Sequence, residues 1–141
     1  MSQTENRETG RQLLPKFDAH GLITAVVSEA ETGAPLMVAH KNAQALELSI
    51  KTGEAHFYSR SRAEIWHKGG TSGNVLAIQD MKVDCDQDAV WLSVVAKGHG
   101  AACHTGRKSC FFRRIVVNND ETTLELTGEV PLFDPAEVYK T

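Results

Sequence analysis

Every cysteine of this chain lies in one of two short segments, and that distribution limits how the chain can fold more than any other feature. Residues 103 to 110 read Cys-His-Thr-Gly-Arg-Lys-Ser-Cys, and Cys85 stands inside Asp84-Cys85-Asp86-Gln87-Asp88. A fold that uses these thiols together must bring Cys85 to Cys103 and Cys110 from a remote part of the chain or from a second copy. Three thiolates fill three corners of a zinc tetrahedron and leave the fourth to water, which marks a catalytic zinc. The aspartates beside Cys85 offer hard oxygen ligands suited to magnesium or manganese. Together the two donor sets point to a metal-dependent hydrolase.

Each half of that reading has a plainer rival. Aspartate is common in solvated turns, and a lone buried thiol is usually inert core filling. The separation of Cys103 and Cys110 is too wide for a zinc-ribbon knuckle. They converge only if Thr105-Gly106 lets the backbone fold back. In an extended strand, Asp84, Asp86 and Asp88 would share one face and Cys85 the other; in a hairpin loop the faces mix. Either way, three adjacent carboxylates repel one another, and without a cation one takes up a proton or the loop opens to water. His104 can serve as general acid/base, fourth ligand or bystander, and His67 can shuttle a proton.

At 141 residues the chain is one domain with a modest core. A formal net charge of -3 gives no drive toward nucleic acid or anionic membrane. No apolar run approaches the ~20 residues of a membrane span, and Met1 to Arg11 has no apolar signal core, so a cytoplasmic location is expected. A reducing compartment disfavours disulfides.

Residues 1–16 are expected to form a flexible leader, 17–117 the functional domain and 118–141 a C-terminal tail of little periodicity. Leu22 to Val27 and Pro35 to Ala39 are expected to form a hairpin across the Glu31-Thr32-Gly33 turn. Asn42 caps a helix over Ala43 to Lys51, with Ala45, Leu46 and Ile50 on one stripe and Gly53 as its stop. Ala55 to Ser59 is a strand, and Ser59 to Gly73 is loop-dominated. Val75 to Val83 and Ala89 to Ala96 form an antiparallel pair around the acidic segment, Gly98 to Gly106 is loop, and Cys110 to Val117 is β-prone. The sum is an α+β, strand-dominated domain with an antiparallel sheet and one main helix.

The Ser59–Gly73 stretch concentrates cations, hydroxyls and glycines. Arg60, Arg62 and Lys68 stand with Thr71 and Ser72, and Gly69, Gly70 and Gly73 allow close backbone approach to an anion. A second cationic cluster, Arg107, Lys108, Arg113 and Arg114, surrounds Cys110, so the two clusters suit a substrate with two phosphates. Trp66 can stack on a flat heterocycle or fill the core. The spacing is not that of a Walker loop, and the segment lacks the interleaved aromatics of a nucleic-acid site.

Four stretches resemble the phosphoribosyl-AMP cyclohydrolase family. They are Gly21-Leu22-Ile23 through Glu31-Thr32-Gly33 and Leu36-Met37; Ser59-Arg60-Ser61-Arg62 with Trp66, Lys68-Gly69 and Thr71-Ser72-Gly73; Asp84-Cys85-Asp86-Gln87-Asp88; and Ala102-Cys103-His104-Thr105-Gly106 with Ser109-Cys110-Phe111. The resemblance implies an intertwined homodimer with sites at the subunit interface. Zinc would be held by Cys85 of one subunit with Cys103 and Cys110 of the other, and magnesium by Asp84, Asp86 and Asp88. The implied reaction is hydrolytic opening of the adenine ring of phosphoribosyl-AMP between N1 and C6, a step of histidine biosynthesis. Arg60, Arg62, Trp66, Lys68, Thr71, Ser72 and Arg107 would bind substrate, with His104 as the base. Zinc would lower the pKa of its water toward neutrality. The residues after Cys110 are too few for the pyrophosphohydrolase domain often fused in this family, so a single step is expected. Two rival functions remain: another zinc enzyme on a purine-like substrate, such as a deaminase, and a non-catalytic dimer stapled by zinc.

Overall fold

The structure, a computed structural model, describes residues 3–138. Its elements run α1 (Gln3–Thr9), β1 (Ile23–Glu29), β2 (Pro35–Lys41), α2 (Ala43–Thr52), β3 (His56–Ser59), β4 (Glu64–His67), β5 (Leu76–Val83), β6 (Ala89–Ala96), β7 (Arg113–Asn118), β8 (Glu121–Leu126) and α3 (Pro135–Val138). Strands dominate, as an α+β chain requires, and three helices occur among the described residues.

The β1–β2 hairpin forms in antiparallel register, with Val26 opposite Val38. β5 and β6 pair antiparallel around the acidic turn. The central sheet has order β2-β1-β6-β5, but it is mixed rather than purely antiparallel, because β1 and β6 run parallel. The long connection through α2 and β3–β5 supplies the crossover that a parallel pair needs. On one face of this sheet Ile23, Ala25, Val27, Leu36, Val90, Leu92 and Val94 are buried against Leu46 of α2 and Phe57 of β3.

The caps of α2 are local chemistry. Asn42 Oδ1 accepts from the Ala45 N–H at 2.8 Å, and Gly53 ends the helix in a left-handed conformation. The expected apolar stripe is only partly right. Ala45 and Leu46 are buried, but Ile50 is 54% exposed and Ser49 takes the inward place.

Ser49 faces inward because Lys41 is fully buried beside it. The lysine ammonium donates to Ser49 Oγ at 2.6 Å and to the His56 carbonyl, and it lies 4.5 Å from the centre of the Phe57 ring. Ser49 Oγ in turn accepts from the His56 N–H at 2.9 Å. Burial pushes the Lys41 pKa down to about 7. Between pH 7 and 10.5 the unfolded chain therefore holds a proton that the folded chain has lost, and stability rises with pH across that window. Thermal melts at pH 7, 8 and 9 are expected to show a rising midpoint in the wild type and a flatter profile in Lys41→Met; parallel profiles would contradict this.

Three segments hold more structure than their sequences announce. The stretch 59–73 contains β4, paired antiparallel to β3 with Trp66 opposite Phe57. Its apolar signal is two residues long, Ile65-Trp66, and polar neighbours mask it. The C-terminal stretch contains β8, paired to β7 in a hairpin whose tip residues Asn119 and Asp120 have φ of 49° and 67°. Positive φ at both tip residues is what a tight primed turn demands, and Asn and Asp tolerate it. The leader contains α1, and its later residues bond to Gln87 of the acidic turn. No helix among the described residues is long and apolar enough to cross a membrane.

Candidate functional site

The loop after β6 folds back on itself. Gly106 N–H donates to the Cys103 carbonyl at 3.0 Å, Cys103 N–H to the Arg107 carbonyl at 3.1 Å, and Ala102 N–H to the Lys108 carbonyl at 3.0 Å. Gly106 carries φ of 89°, and a Cβ there would lie 2.3 Å from the Phe133 carbonyl oxygen, so only glycine fits. This reversal brings Cys110 back beside Cys103, near enough for the Cys103 thiol to raise the Cys110 pKa. Cys110 is tied to the sheet by its N–H, which donates to the Leu36 carbonyl at 2.7 Å, and Thr105 Oγ1 donates to Cys103 Sγ at 3.1 Å.

Cys110 opens into a cavity of about 620 Å³, a size common for small-molecule sites. Its walls include Arg62, Trp66, His67, Lys68, Thr71, Ser72 and His104, so most of the substrate-binding and catalytic residues expected from sequence line it. The β3–β4 hairpin presents Arg62 at its turn and Trp66 on its second strand. The turn Gly69–Gly73 then presents Thr71 and Ser72, closed by the Gly73 N–H on the Gly69 carbonyl at 2.9 Å. Lys68 is buried with its ammonium 5.2 Å from the Trp66 ring centre. Burial lowers its pKa, while Cys110 and Cys103 oppose that shift.

Two predicted substrate residues stand elsewhere. Arg60 lines a separate cavity with Asp18, His20, Leu22, His40 and Tyr58. Arg107 stacks 4.2 Å over Phe112, its Nε donating to the Glu129 carbonyl at 3.4 Å. Met37, Ala102 and Pro135 also line the main cavity, though no polar motif pointed to them. The pairing behind His67 was likewise hidden: its Nε2 lies 2.7 Å from Glu54 Oε1, and its ring stacks on His56 at 4.5 Å. Glu54 and His56 are adjacent to no motif; the β3–β4 register sets His56 opposite His67, and Glu54 stands just before β3.

The acidic segment adopts the hairpin-loop reading. Asp84 Oδ1 accepts from the N–H groups of Asp88 at 3.0 Å and Ala89 at 3.1 Å, which curls the turn. A donor oxygen from each of Asp84, Asp86 and Asp88 lies within 4.8 Å of the others. A hydrogen bond with Asp86 pushes the Asp88 pKa up to about 6, with Asp84 adding to it, and the same contact lowers Asp86. Below about pH 6 the two carboxyls therefore hold one proton between them. A divalent cation would replace that proton, so the triad fits a hard metal ion.

Cys85 does not join Cys103 and Cys110 within this chain. The sheet register sets Leu36, and with it Cys110, level with Leu92 and Ser93, whereas Cys85 lies beyond the Val83–Val90 pair. About four to five residues of strand separate the levels, roughly 15 Å at ~3.3 Å each. Sulfurs on one tetrahedral zinc lie only roughly 4 Å apart. The thiol pair does suit a soft cation. Burial and the neighbouring Cys103 push the Cys110 pKa up to about 12, a neutral thiol is a poor ligand, and a bound cation would offset the cost of its charge.

A mixed sheet flanked by a basic, tryptophan-walled cavity that Cys110 lines, with Cys103 buried beside it and a carboxylate triad in a separate turn, has the donor sets of a metal-dependent enzyme for a small anionic molecule. A sequence model described as phosphoribosyl-AMP cyclohydrolase matches residues 37–112. The chain is 54% identical over 132 residues to "Phosphoribosyl-AMP cyclohydrolase" of Sinorhizobium fredii (strain NBRC 101917 / NGR234), covering 94% of this chain and 87% of that one. It is 56% identical over 125 residues to the protein of that name from Agrobacterium fabrum (strain C58 / ATCC 33970), covering 89% and 83%. The namesake from Mesorhizobium japonicum (strain LMG 29417 / CECT 9101 / MAFF 303099) is 52% identical over 133 residues, covering 94% and 87%. The chain belongs to the phosphoribosyl-AMP cyclohydrolase family.

Proposed function

We propose that the chain hydrolyses phosphoribosyl-AMP in histidine biosynthesis, opening the adenine ring between N1 and C6. The observation that carries this reading is the convergence of Cys110, Lys68, Trp66 and His104 on one cavity in a chain of this family. Ring opening adds the water oxygen to C6, breaks the N1–C6 bond and leaves a proton on N1. Ribosylation of N1 makes the ring an electron-poor amidine, so C6 accepts a nucleophile. Trp66 stacks on the purine, while Arg62, Lys68, Thr71 and Ser72 bind phosphate oxygens. His104, exposed at the cavity wall, takes a proton from water. Arg60 and Arg107 reach substrate only if it extends past this cavity or if a second subunit completes it.

Zinc, where bound by Cys103 and Cys110 with a third thiolate, would supply Lewis acidity and an acidified water. The third thiolate would come from Cys85 of a second copy, since within one chain the register holds it roughly 15 Å away along the strands. Magnesium would be held by Asp84, Asp86 and Asp88. The chain carries apolar surface for such a partner. Ile115, Leu124 and Leu126 on the β7–β8 hairpin are 75%, 54% and 62% exposed, and a two-stranded hairpin is marginal alone. Val26, Val38 and Trp91 on the outer face of the main sheet are exposed as well. The site would then act in a homodimer in the cytoplasm.

Incubation with phosphoribosyl-AMP tests the reaction. The expected result is an absorbance change with no ammonia, and a product one water heavier than the substrate. Ammonia release with the ring closed would instead make the chain a deaminase.

A further inference from the structure

Gln87 is an anomaly in the acidic turn. It has φ of 56°, a left-handed conformation that disfavours a residue with a Cβ, and glycine would adopt it without strain. It is also 3% exposed in a turn whose other members lie open or half-open to solvent. What covers it is the segment before β1. Its side-chain amide donates to the Arg7 carbonyl at 2.9 Å and to the Gln12 carbonyl at 3.2 Å. Its Oε1 accepts from the Leu14 N–H at 2.8 Å, and its own carbonyl accepts from the Lys16 N–H at 2.7 Å. Arg7 Nε donates to the Leu14 carbonyl at 2.9 Å, which closes the segment on itself. One residue thus gathers four points of the N-terminal segment onto the turn, three by its side chain and one by its carbonyl. On its other side the Gln87 N–H donates to the carbonyl of Asp84 at 3.0 Å, inside the carboxylate triad.

We infer that Gln87 is a positioning residue for the divalent-cation turn, and that the N-terminal segment through Lys16 is the strap by which it holds Asp84, Asp86 and Asp88 in place. The inference rests on the reading of that triad as a cation site. The strained conformation is retained because a glycine would lose the side chain that binds the strap. A strap that pre-orders three mutually repelling carboxylates lowers the ordering cost of cation binding. By linkage, the cation in turn holds the strap closed.

The test uses full-length, zinc-loaded protein and magnesium alone as the probe. Gln87→Gly relaxes the turn and removes the three side-chain ties to the strap, leaving the backbone bond to Lys16. Calorimetric titration is expected to show magnesium affinity reduced by about tenfold, the scale on which residues behind a ligand shell act. Tryptic cleavage after Arg11 is expected to be faster in the variant, and magnesium is expected to slow it in the wild type alone. Gln87→Asn tolerates the same backbone but is too short to reach the strap, so it should repeat both effects if the glycine variant folds poorly. Wild-type affinity in both variants would overturn the strap. A wild type that binds no magnesium, with Asp86→Asn unchanged from it, would overturn the cation site itself.

Discussion

Cys110→Ala is expected to lose zinc and to turn over phosphoribosyl-AMP about 10³-fold more slowly than the wild type, while remaining folded. Fold retention follows from position. Cys110 as a whole residue is exposed although its thiol is partly covered, and its contact to the sheet is a backbone bond to Leu36 that alanine keeps. Cys103 is buried, so its replacement would mix packing with chemistry. The magnitude follows from the several kcal/mol of transition-state stabilisation a Lewis-acid metal supplies, where about 4 kcal/mol corresponds to ~10³ in rate. Metal analysis, circular dichroism and kcat check it together. Loss of zinc with full turnover would leave the metal a mere staple, and retained zinc would remove Cys110 from the ligand set.

Asp86→Asn is expected to weaken magnesium binding by about 10²-fold, because ligand charge count sets the affinity of carboxylate sites. The same turn should bind magnesium in a pH-dependent way. Asp88 holds its proton up to about pH 6 through its hydrogen bonds to Asp86 and Asp84. The folded, cation-free chain therefore binds more protons than the unfolded one between the usual carboxylate pKa and about 6. Its stability falls as pH rises through that window, and a cation reverses the loss. Magnesium must displace the proton, so its affinity should climb from pH 5 to 6 and level off above, with proton uptake by buffer accompanying binding below the plateau. Titrations at pH 5, 6 and 7 in buffers of different ionisation enthalpy measure both effects. A flat profile would mean that the triad does not hold the cation.

What the sequence revealed of this architecture was what neighbours in the chain decide. Asn42 and Gly53 bound α2 because cap geometry involves only a few consecutive residues. The β1–β2 and β5–β6 hairpins follow from a turn between two apolar runs. The parallel β1–β6 pair was invisible because long-range pairing leaves no local trace. β8 is hard to see although Asn119-Asp120 is a good hairpin tip, because its threonines and glutamates leave only Leu124 and Leu126 as apolar contrast. Lys41 stands at a strand end where lysine ordinarily faces water. Only the packing of α2 against β3 shows that Ser49 and the His56 carbonyl await its ammonium.

The site divides in the same way. The fold-back of Cys103 and Cys110 was legible in the intervening Thr105-Gly106, and the aspartates in their spacing. Arg60 and Arg62 look equivalent in sequence, yet a two-residue step across a turn sends them to different cavities. Gln87 reads as a spacer between ligands until Arg7, Gln12, Leu14 and Lys16 are found around it.

The central claim is that one zinc site draws thiolates from two copies of the chain. Mixing Cys85→Ala subunits with Cys110→Ala subunits tests it most directly, since each variant alone is inactive and the mixed dimer rebuilds one intact site out of two. The account predicts that purified mixed dimers regain about half the wild-type turnover and one zinc per dimer. Mixed dimers as inactive as their parents would contradict it.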